Sequence, residues 1–584
     1  MFKVAALVSG GKDSLYSAMK CHDHGHQVVV LANLHPSHEE SQRDSYMYQT
    51  QGWEMLPAIA ECMGLPLERR AIVGTSANQD LLYHKREEDE VEDMYELLRE
   101  ITIKHPEVNA VCSGAVLSTY QRSRVEDVCE RLGLVSLAYL WQRDQTELLE
   151  EMIDRGVEAV LVKVCSIGLG SGDLGRTIAQ SRDKFVQLGD RFGMHVCGEG
   201  GEYETLTLDC PLFTKGRIIV DRAECVVLKP IPDSPICVWR IHEYRIESKL
   251  AVTSPTLPPM SSSSSLAAPP AMALLVPAPT TADVSPARSQ SPCVVGPVCG
   301  QDIVQCMSQF ACELSPERIH QVCIVHLYLQ NLDDFPKVNL EFAKLFGTGK
   351  RRQPPARVTL ELATKFKLSV VAVLSCQAPP QILQVRSRSE WAPMCIGPYS
   401  QASTLGPLVL VSGQIPLVSE TMQMLPPRSL PDVQPELELC FQHCFRVARQ
   451  LRGEVPLAAL VYCSTERQSS SGEQVIARCA QSLRSVSRLP PLLVLLAVPR
   501  LPREARVEVE FTAMQSGGCS QVTVDEPGRG QAVWSRMFCT AAVPGCESMT
   551  VPVQAVGVLV VGSVEYRRGV QVSVYHLETA GEEE

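Results

Sequence analysis

A short apolar strand runs straight into Ser9-Gly10-Gly11-Lys12-Asp13-Ser14 and from there into a helix, and this opening constrains the fold more than any other feature. Lys3–Val8 reads as a buried strand, and Leu15, Ala18 and Met19 give the following helix one apolar face. Two glycines at a strand-to-helix turn let the backbone approach an anion closely. The first N–H groups of the helix have no partner within it and point at that anion, with the dipole favouring negative charge. Lys12 adds a cation for phosphate oxygens, and Asp13 a carboxylate for Mg2+. A Walker A loop needs Gly-Lys-Ser/Thr after a four-residue spacer, and here Asp follows Lys12. The expectation is a nucleotide phosphate site over Ser9, Gly10, Gly11, Lys12, Asp13 and Ser14, with Lys12 and Asp13 as the catalytic pair.

Downstream, short apolar runs alternate with helical periodicity as far as about residue 192. Strands are expected at Lys3–Ser9, Gln27–Leu34, Arg70–Gly74, Asn109–Gly114, Val135–Trp141 and Glu158–Cys165, with amphipathic helices such as Glu88–Thr102 and Gln121–Leu132 between them. That alternation predicts an α/β fold with a mainly parallel sheet covered by helices. Residues 251–292 interrupt it with nine Ser and nine Pro in 42 residues and only Asp283 and Arg288 charged, the composition of a flexible linker. Beyond the linker a weak repeat appears. Pro354-Pro355-Ala356-Arg357 and Pro490-Pro491-Leu492-Leu493 each precede an apolar run and follow a helical stretch, which predicts two α+β modules. The last residues hold strand-like Val556–Val561 and Val570–Val574 and then an acidic end. The expected division is 1–112, 113–245, a linker over 246–292, modules over 293–378 and 390–515, and an unassigned tail over 516–584. So sparse a linker predicts that residues 1–250 fold without residues 293–584.

Charge narrows the function. Residues 1–250 hold 27 Lys and Arg against 39 Asp and Glu, so they carry the whole net charge of −12. An acidic surface argues against direct nucleic-acid binding and suits a cationic substrate or a basic partner. No apolar run reaches the roughly 18 residues of a membrane span, and the N-terminus lacks a signal peptide's apolar core. The 23 cysteines contain no Cys-x-x-Cys, so reduced thiols in a cytoplasmic protein without membrane attachment are expected. Cys21-His22-Asp23-His24-Gly25-His26 resembles a metal-ligand run but falls where the first helix should end, and is read as that terminus. Gly170-Ser-Gly172-Asp-Leu-Gly175 satisfies a dinucleotide pattern, yet the acid twenty residues on, Asp190, falls in a helical stretch, so the glycines are read as a connecting loop.

A second signal is Cys197-Gly198-Glu199-Gly200-Gly201-Glu202-Tyr203-Glu204-Thr205: carboxylates for a cation and glycines for a tight backbone. Ser-Gly-Gly-Lys-Asp-Ser resembles the PP-loop of the N-type ATP pyrophosphatases, which implies ATP bound at 9–14 with release of pyrophosphate. Together with Glu199–Thr205, Ser113–Glu126, Asp44–Gln49 and Glu90–Asp93, it is similar to the diphthine–ammonia ligase family over about residues 1–245. That resemblance implies conversion of diphthine on elongation factor 2 to diphthamide with ATP, Mg2+ and ammonium, through an acyl-adenylate, with AMP and pyrophosphate as products. It places Glu199, Gly200, Gly201, Glu202, Tyr203 and Glu204, with Tyr120 and Arg122, on the substrate side. Diphthine carries a quaternary ammonium, so Tyr203, Tyr120 and Trp141 are expected as aromatic faces for it. The chain begins Met-Phe and has no Gly-x-Cys-x-Gly elbow, so free ammonium is expected as the donor.

Ile396–Ala402, Val411–Pro416, and Leu327–Phe346 followed by Pro354–Arg357 resemble the Rid family of enamine/imine deaminases. In that family an Arg binds the substrate carboxylate and a Glu handles a water. Here the set is split: the first module keeps Arg357 with Ala372 at the Glu position, and the second keeps Tyr399 and Glu508 with Leu493 at the Arg position. The expectation is an oligomer-forming scaffold, with a composite pocket of Arg357, Tyr399 and Glu508 as the alternative. Rival readings of the whole chain are a Rid-type oligomer that binds elongation factor 2 without catalysis, and a tRNA-modifying PP-loop enzyme.

Overall fold

The run Lys3-Val-Ala-Ala-Leu7 forms the central strand of a parallel sheet because every residue in it is apolar or small apart from Lys3 at the open end. The computed structural model describes residues 1–36, 51–80, 85–249, 293–347, 353–362, 366–375, 378–426, 432–466, 472–486, 492–515, 562–563 and 571–575, with 47, 49, 83, 489 and 490. They fall into two units, Met1–Thr280 with Arg386–Trp391, and Thr281–Val385 with Ala392–Glu584.

In the first unit the order is β1 (Lys3–Leu7), α1 (Lys12–Asp23), β2 (Gln27–His35), α2 (Leu56–Met63), β3 (Leu67–Ala71), α3 (Glu90–Lys104), β4 (Ala110–Cys112), α4 (Thr119–Leu132) and β5 (Val135–Leu137). The strands form one sheet in the order β3-β2-β1-β4-β5, with every pair parallel. Then come α5 (Gln145–Asp154), β6 (Glu158–Val164), α6 (Ile178–Phe192), β7 (Tyr203–Asp209), β8 (Gly216–Lys229) and β9 (Ile236–Ser248). These four strands make a second sheet, β7-β6-β9-β8, whose pairs are antiparallel. One apolar core holds α1, α2 and both sheets together through residues such as Leu15, Met19, Ile59, Leu161 and Leu206.

Two expected strands differ. Glu158–Cys165 does not join the parallel sheet, because its partners, Tyr203–Asp209 and Ile236–Ser248, lie far along the chain. The third strand is Leu67–Ala71 rather than Arg70–Gly74: Leu67 registers with Leu31 and the strand stops where Val73 and Gly74 bend to donate to Asp93 Oδ2, each at 2.8 Å. The His-rich run after α1 is a helix end, with His26 Nε2 at 2.8 Å from Tyr139 Oη and Asp23 paired with Arg155. Among the described residues no group of three His, Cys, Asp or Glu could hold a metal. The Gly170–Gly175 run is a turn in which Asp173 accepts from Gly170 N and pairs with Lys184.

The second unit repeats one plan twice. β10 (Cys293–Gly300), α7 (Ile303–Leu314), β11 (Val322–Leu329), α8 (Phe335–Phe346), β12 (Ala356–Glu361) and β13 (Leu368–Leu374) form a sheet in the order β10-β13-β11-β12, with β11 and β12 parallel around α8. After β14 (Ile382–Leu383) come β15 (Ala402–Leu405), β16 (Leu408–Gln414), β17 (Leu417–Val418), β18 (Gln423–Met424), α9 (Gln434–Gln450), β19 (Gly453–Ser464), α10 (Gly472–Leu483), β20 (Leu492–Val498) and β21 (Val507–Gln515). The order β16-β21-β19-β20 matches the first sheet, again with a parallel pair, β19 and β20, around a helix. Of the tail, Val556–Val561 lies outside the described residues; β22 (Gly562–Ser563) and β23 (Gln571–Tyr575) are described, and β23 pairs with β20.

Candidate functional site

Helices α3 to α6 each begin on a side-chain cap: Asp89, Ser118, Asp144 and Thr177 accept the backbone N–H groups of their first turns. Helix α1 does not. It starts at Gly11, which has no side chain to cap it, so beyond Lys12 N its first-turn amides have no cap of their own and face an outside anion. Gly10 turns the chain with φ +91°, and a Cβ there would meet Leu56 Cδ2 at 2.8 Å. A Cβ on Gly11 would meet Gln49 Oε1 at 2.6 Å. The backbone at Gly10 therefore demands glycine, whereas at Gly11, with φ −76°, a Cβ would first displace the flexible end of Gln49. Ser14 Oγ donates to Gly11 O at 2.9 Å, and Ser9 Oγ accepts from Gly11 N at 3.4 Å, which closes the loop on itself.

The second motif closes over the first. Thr205 Oγ1 accepts from Lys12 N at 3.1 Å, and Gln49 Nε2 donates to Thr205 O at 2.9 Å. Lys12 is buried and places Nζ 2.8 Å from Asp13 Oδ2, 2.5 Å from Cys197 O and 5.1 Å from the Tyr203 ring centre. Burial works against its charge, but Asp13, with Tyr203 and Cys197, together outweigh that and hold the ammonium above its ordinary range. Asp13 Oδ1 is buried with no hydrogen-bond partner among the described residues, an oxygen left available to a cation. Gly114 lets the chain after β4 press on this place, since a Cβ there would lie 2.8 Å from Asp13 C.

The three carboxylates of the loop before β7 do different things. Glu199 Oε2 accepts from Val116 N and Leu117 N at 3.2 Å, and burial, with Asp13 nearby, raises its carboxyl to about 7. Glu202 Oε1 accepts from His195 N at 2.9 Å, and its Oε2 is buried without a hydrogen-bond partner among the described residues. Glu204 is tied to Lys163 at 2.9 Å. Gly200 and Gly201 form the bend between them, Gly201 with φ +82°. Tyr203 stands under the site rather than in it: its ring stacks on Phe185 at 4.4 Å and its hydroxyl donates to Val196 O at 2.6 Å. Tyr120 lies apart, its ring 3.2 Å from the Arg124 guanidinium and its hydroxyl on Asn78 O. Arg122 is buried, paired with Glu126 at 2.5 Å and stacked 4.2 Å over Trp141, itself fully buried. Lys12, Asp13 and Glu199 thus lie close together, with Glu202 beside His195, while the partners of Tyr120, Arg122 and Trp141 are Arg124, Glu126 and one another.

His195 was not legible in the sequence. Its Nδ1 accepts from Cys197 N at 3.2 Å, burial and Lys12 favour the neutral ring, and Nε2 is buried with no hydrogen-bond partner among the described residues. A single His in Met194-His195-Val196 carries no signal of that position.

In the second unit Arg357, Tyr399 and Glu508 come together although they belong to two modules. The Arg357 guanidinium lies 4.7 Å from the Tyr399 ring centre and 4.9 Å from that of Phe342, and its Nη1 has no hydrogen-bond partner among the described residues. Burial lowers this Arg to about 10. Burial, with Glu510 close by, raises the Glu508 carboxyl to about 8. Glu510, which no sequence motif marks, sits 2.9 Å from His326 Nε2 and accepts from Tyr462 Oη at 2.7 Å.

Residues 2–136 match the family model described as the diphthamide synthase N-terminal domain, and residues 144–228 that of the diphthamide synthase C-terminal domain. A diphthine–ammonia ligase of Schizosaccharomyces pombe is 36% identical over 548 residues, covering 87% of this chain and 86% of that protein. A diphthine–ammonia ligase of Homo sapiens is 49% identical over 253 residues, 43% of this chain and 94% of that protein. Among solved structures, RidA from an Antarctic Psychrobacter is 21% identical and covers 23% of this chain and 98% of its own, with a TM-score of 0.19.

Proposed function

The chain belongs to the diphthine–ammonia ligase family, and on that premise we propose that it amidates diphthine on elongation factor 2 with ammonium at the expense of ATP, releasing AMP and pyrophosphate. One observation carries this reading: the first turn of α1, with buried Lys12 and half-buried Asp13, lies directly under the loop that bears Glu199 and Glu202. A carboxylate acylates ammonia poorly, and adenylation supplies the leaving group that ammonia displaces.

The residues divide the work. The first-turn backbone N–H groups of Asp13 and Ser14, with the Lys12 ammonium, take the phosphate oxygens of ATP. Asp13 Oδ1 would hold Mg2+, which supplies charge neutralisation on the phosphates when bound. Glu199, raised to about 7, is ionised over part of the neutral range, and in that carboxylate form it takes a proton from ammonium, which becomes the nucleophile as ammonia. Glu202 Oε2 and His195 Nε2 are the groups left to orient the diphthine carboxylate and its cation. The test is to incubate the full chain with ATP, ammonium and diphthine-bearing elongation factor 2. A carboxyl-to-carboxamide mass change on that protein supports the reading, and an unchanged mass overturns it.

A second reading concerns the second unit. The approach of Arg357, Tyr399 and Glu508 favours a pocket for a small carboxylate over a bare scaffold. Titrating the full chain with 2-oxobutyrate tests this: binding lost in Arg357→Ala supports it, and no binding by the wild type at millimolar concentration overturns it.

A further inference from the structure

Six residues from beyond the linker, Arg386–Trp391, belong to the first unit. They run along the outer edge of β5. Arg388 bridges Leu137 in parallel register, Ala138 N donates to Arg388 O at 2.8 Å, and Arg388 N donates to Ser136 O at 2.9 Å. Side chains seal the edge: Ser387 Oγ lies 2.9 Å from Ser136 Oγ and 2.7 Å from Glu126 Oε1, and the Trp391 ring meets Trp141 edge-on at 4.7 Å. An open strand edge is a liability, and this segment covers it.

The end of the segment reaches α1. Lys20, on that helix, is fully buried, and its Nζ lies 2.7 Å from Glu390 Oε1 and 3.5 Å from Glu151 Oε1. His24, at the C-cap of the same helix, lies 2.9 Å from Glu390. Arg143 bridges the two acids, 2.8 Å from Glu390 Oε2 and 2.6 Å from Glu151 Oε2. Tyr16, also on α1, donates to Glu151 at 2.5 Å. Two cations, Lys20 and Arg143, therefore balance two carboxylates, Glu151 and Glu390. Without Glu390 one buried cation is left over, and removing one partner of such a cluster is far more damaging than replacing the whole of it.

We propose that Glu390 is a positioning residue of the ligase: through Lys20 and His24 it fixes the helix whose first turn carries Lys12 and Asp13. The nucleotide site then depends on a chain segment that lies outside both matched synthase domains. This deepens the ligase reading and rests on it for its kinetic consequence.

The experiment uses the full chain and two readouts, hydrogen exchange of the α1 amides without substrates, and the ATP and ammonium dependence of turnover. Glu390→Gln should speed exchange over Lys12–Asp23 and raise KM for ATP by about tenfold, from the unpaired buried cation, while KM for ammonium changes little. Lys20→Met in the same chain should restore much of both, as coupled partners do. Unchanged α1 exchange in Glu390→Gln, or no rescue by the added Lys20→Met, would overturn the proposal. If Glu390→Gln does not accumulate folded, Glu390→Asp and His24→Gln, each a smaller lesion, are read against the same outcomes. A wild-type chain that consumes no ATP would overturn the ligase reading instead, and the exchange measurement would still decide the role of Glu390.

Discussion

Lys12 Nζ donates to the Cys197 carbonyl oxygen at 2.5 Å, joining two motifs 185 residues apart. This contact makes one site of the glycine loop and the carboxylate loop. Because Lys12 is buried and paired with Asp13, neither can be replaced silently. Lys12→Ala and Asp13→Asn should each lower kcat/KM by at least about 2 kcal/mol through lost charge contacts to phosphate or metal. Steady-state rates of AMP formation measure this, and undiminished rates in both variants would place the chemistry elsewhere.

Gly10 should tolerate no side chain. At φ +91°, with Leu56 Cδ2 2.8 Å from any Cβ, Gly10→Ala is expected to destabilise the first unit by about 1–3 kcal/mol. Denaturant unfolding gives the value, and a shift in midpoint without a change of slope is the predicted form.

The two units should answer pH in opposite senses. Burial pushes the Glu390 carboxyl up, but the hydrogen bond from His24 and the charges of Lys20 and Arg143 outweigh it and hold the group at about 2, below the ordinary 4.5. Its stabilising contribution is therefore present above pH 4.5 and lost as pH falls toward 2. Glu508 is raised from 4.5 to about 8, so the second unit should lose stability as pH rises through that interval. Glu508→Gln should flatten the alkaline loss, and Glu390→Gln the acid loss. Unfolding midpoints followed by exchange in each unit check both signs.

Cutting the chain between residues 251 and 292 should not release its parts. Arg386–Trp391 is held in the first unit by β5 and the Glu390 cluster, not by the covalent path through the linker. A protease site inserted near residue 270 and cleaved after purification should leave the pieces co-eluting and the ATP dependence unchanged. Separation on a sizing column would contradict this.

The shape of the glycine loop was legible because one local pattern, strand then Gly-Gly-Lys-Asp then amphipathic helix, dictates it. Strands β1, β2, β4 and β5 were legible from apolar runs, and α3 and α4 from 3.6-residue periodicity. What escaped depends on long-range pairing. Glu158–Val164 has the composition of a parallel core strand, and only its antiparallel partners, β7 and β9, assign it to the second sheet. Arg386–Trp391 falls mostly between the expected modules 293–378 and 390–515, and its role exists only because Ser136, Lys20 and Arg143 lie against it. The expectation that residues 1–250 stand alone leaves this segment out of the first unit, where its contacts put it. Tyr203 and Trp141, expected as aromatic faces for a cation, lie against Phe185 and beneath Arg122, neighbours that no local pattern announces.

On the proposed route the diphthine carboxylate is adenylated beside Lys12 and Glu199 before ammonia attacks it. The most direct measurement supplies diphthine-bearing elongation factor 2 whose carboxylate carries heavy oxygen, together with ATP and ammonium, and weighs the nucleotide released. AMP bearing one heavy oxygen, with unlabelled pyrophosphate, is the predicted result. ADP with label in orthophosphate, or amide formed with no label in any phosphate, would contradict it.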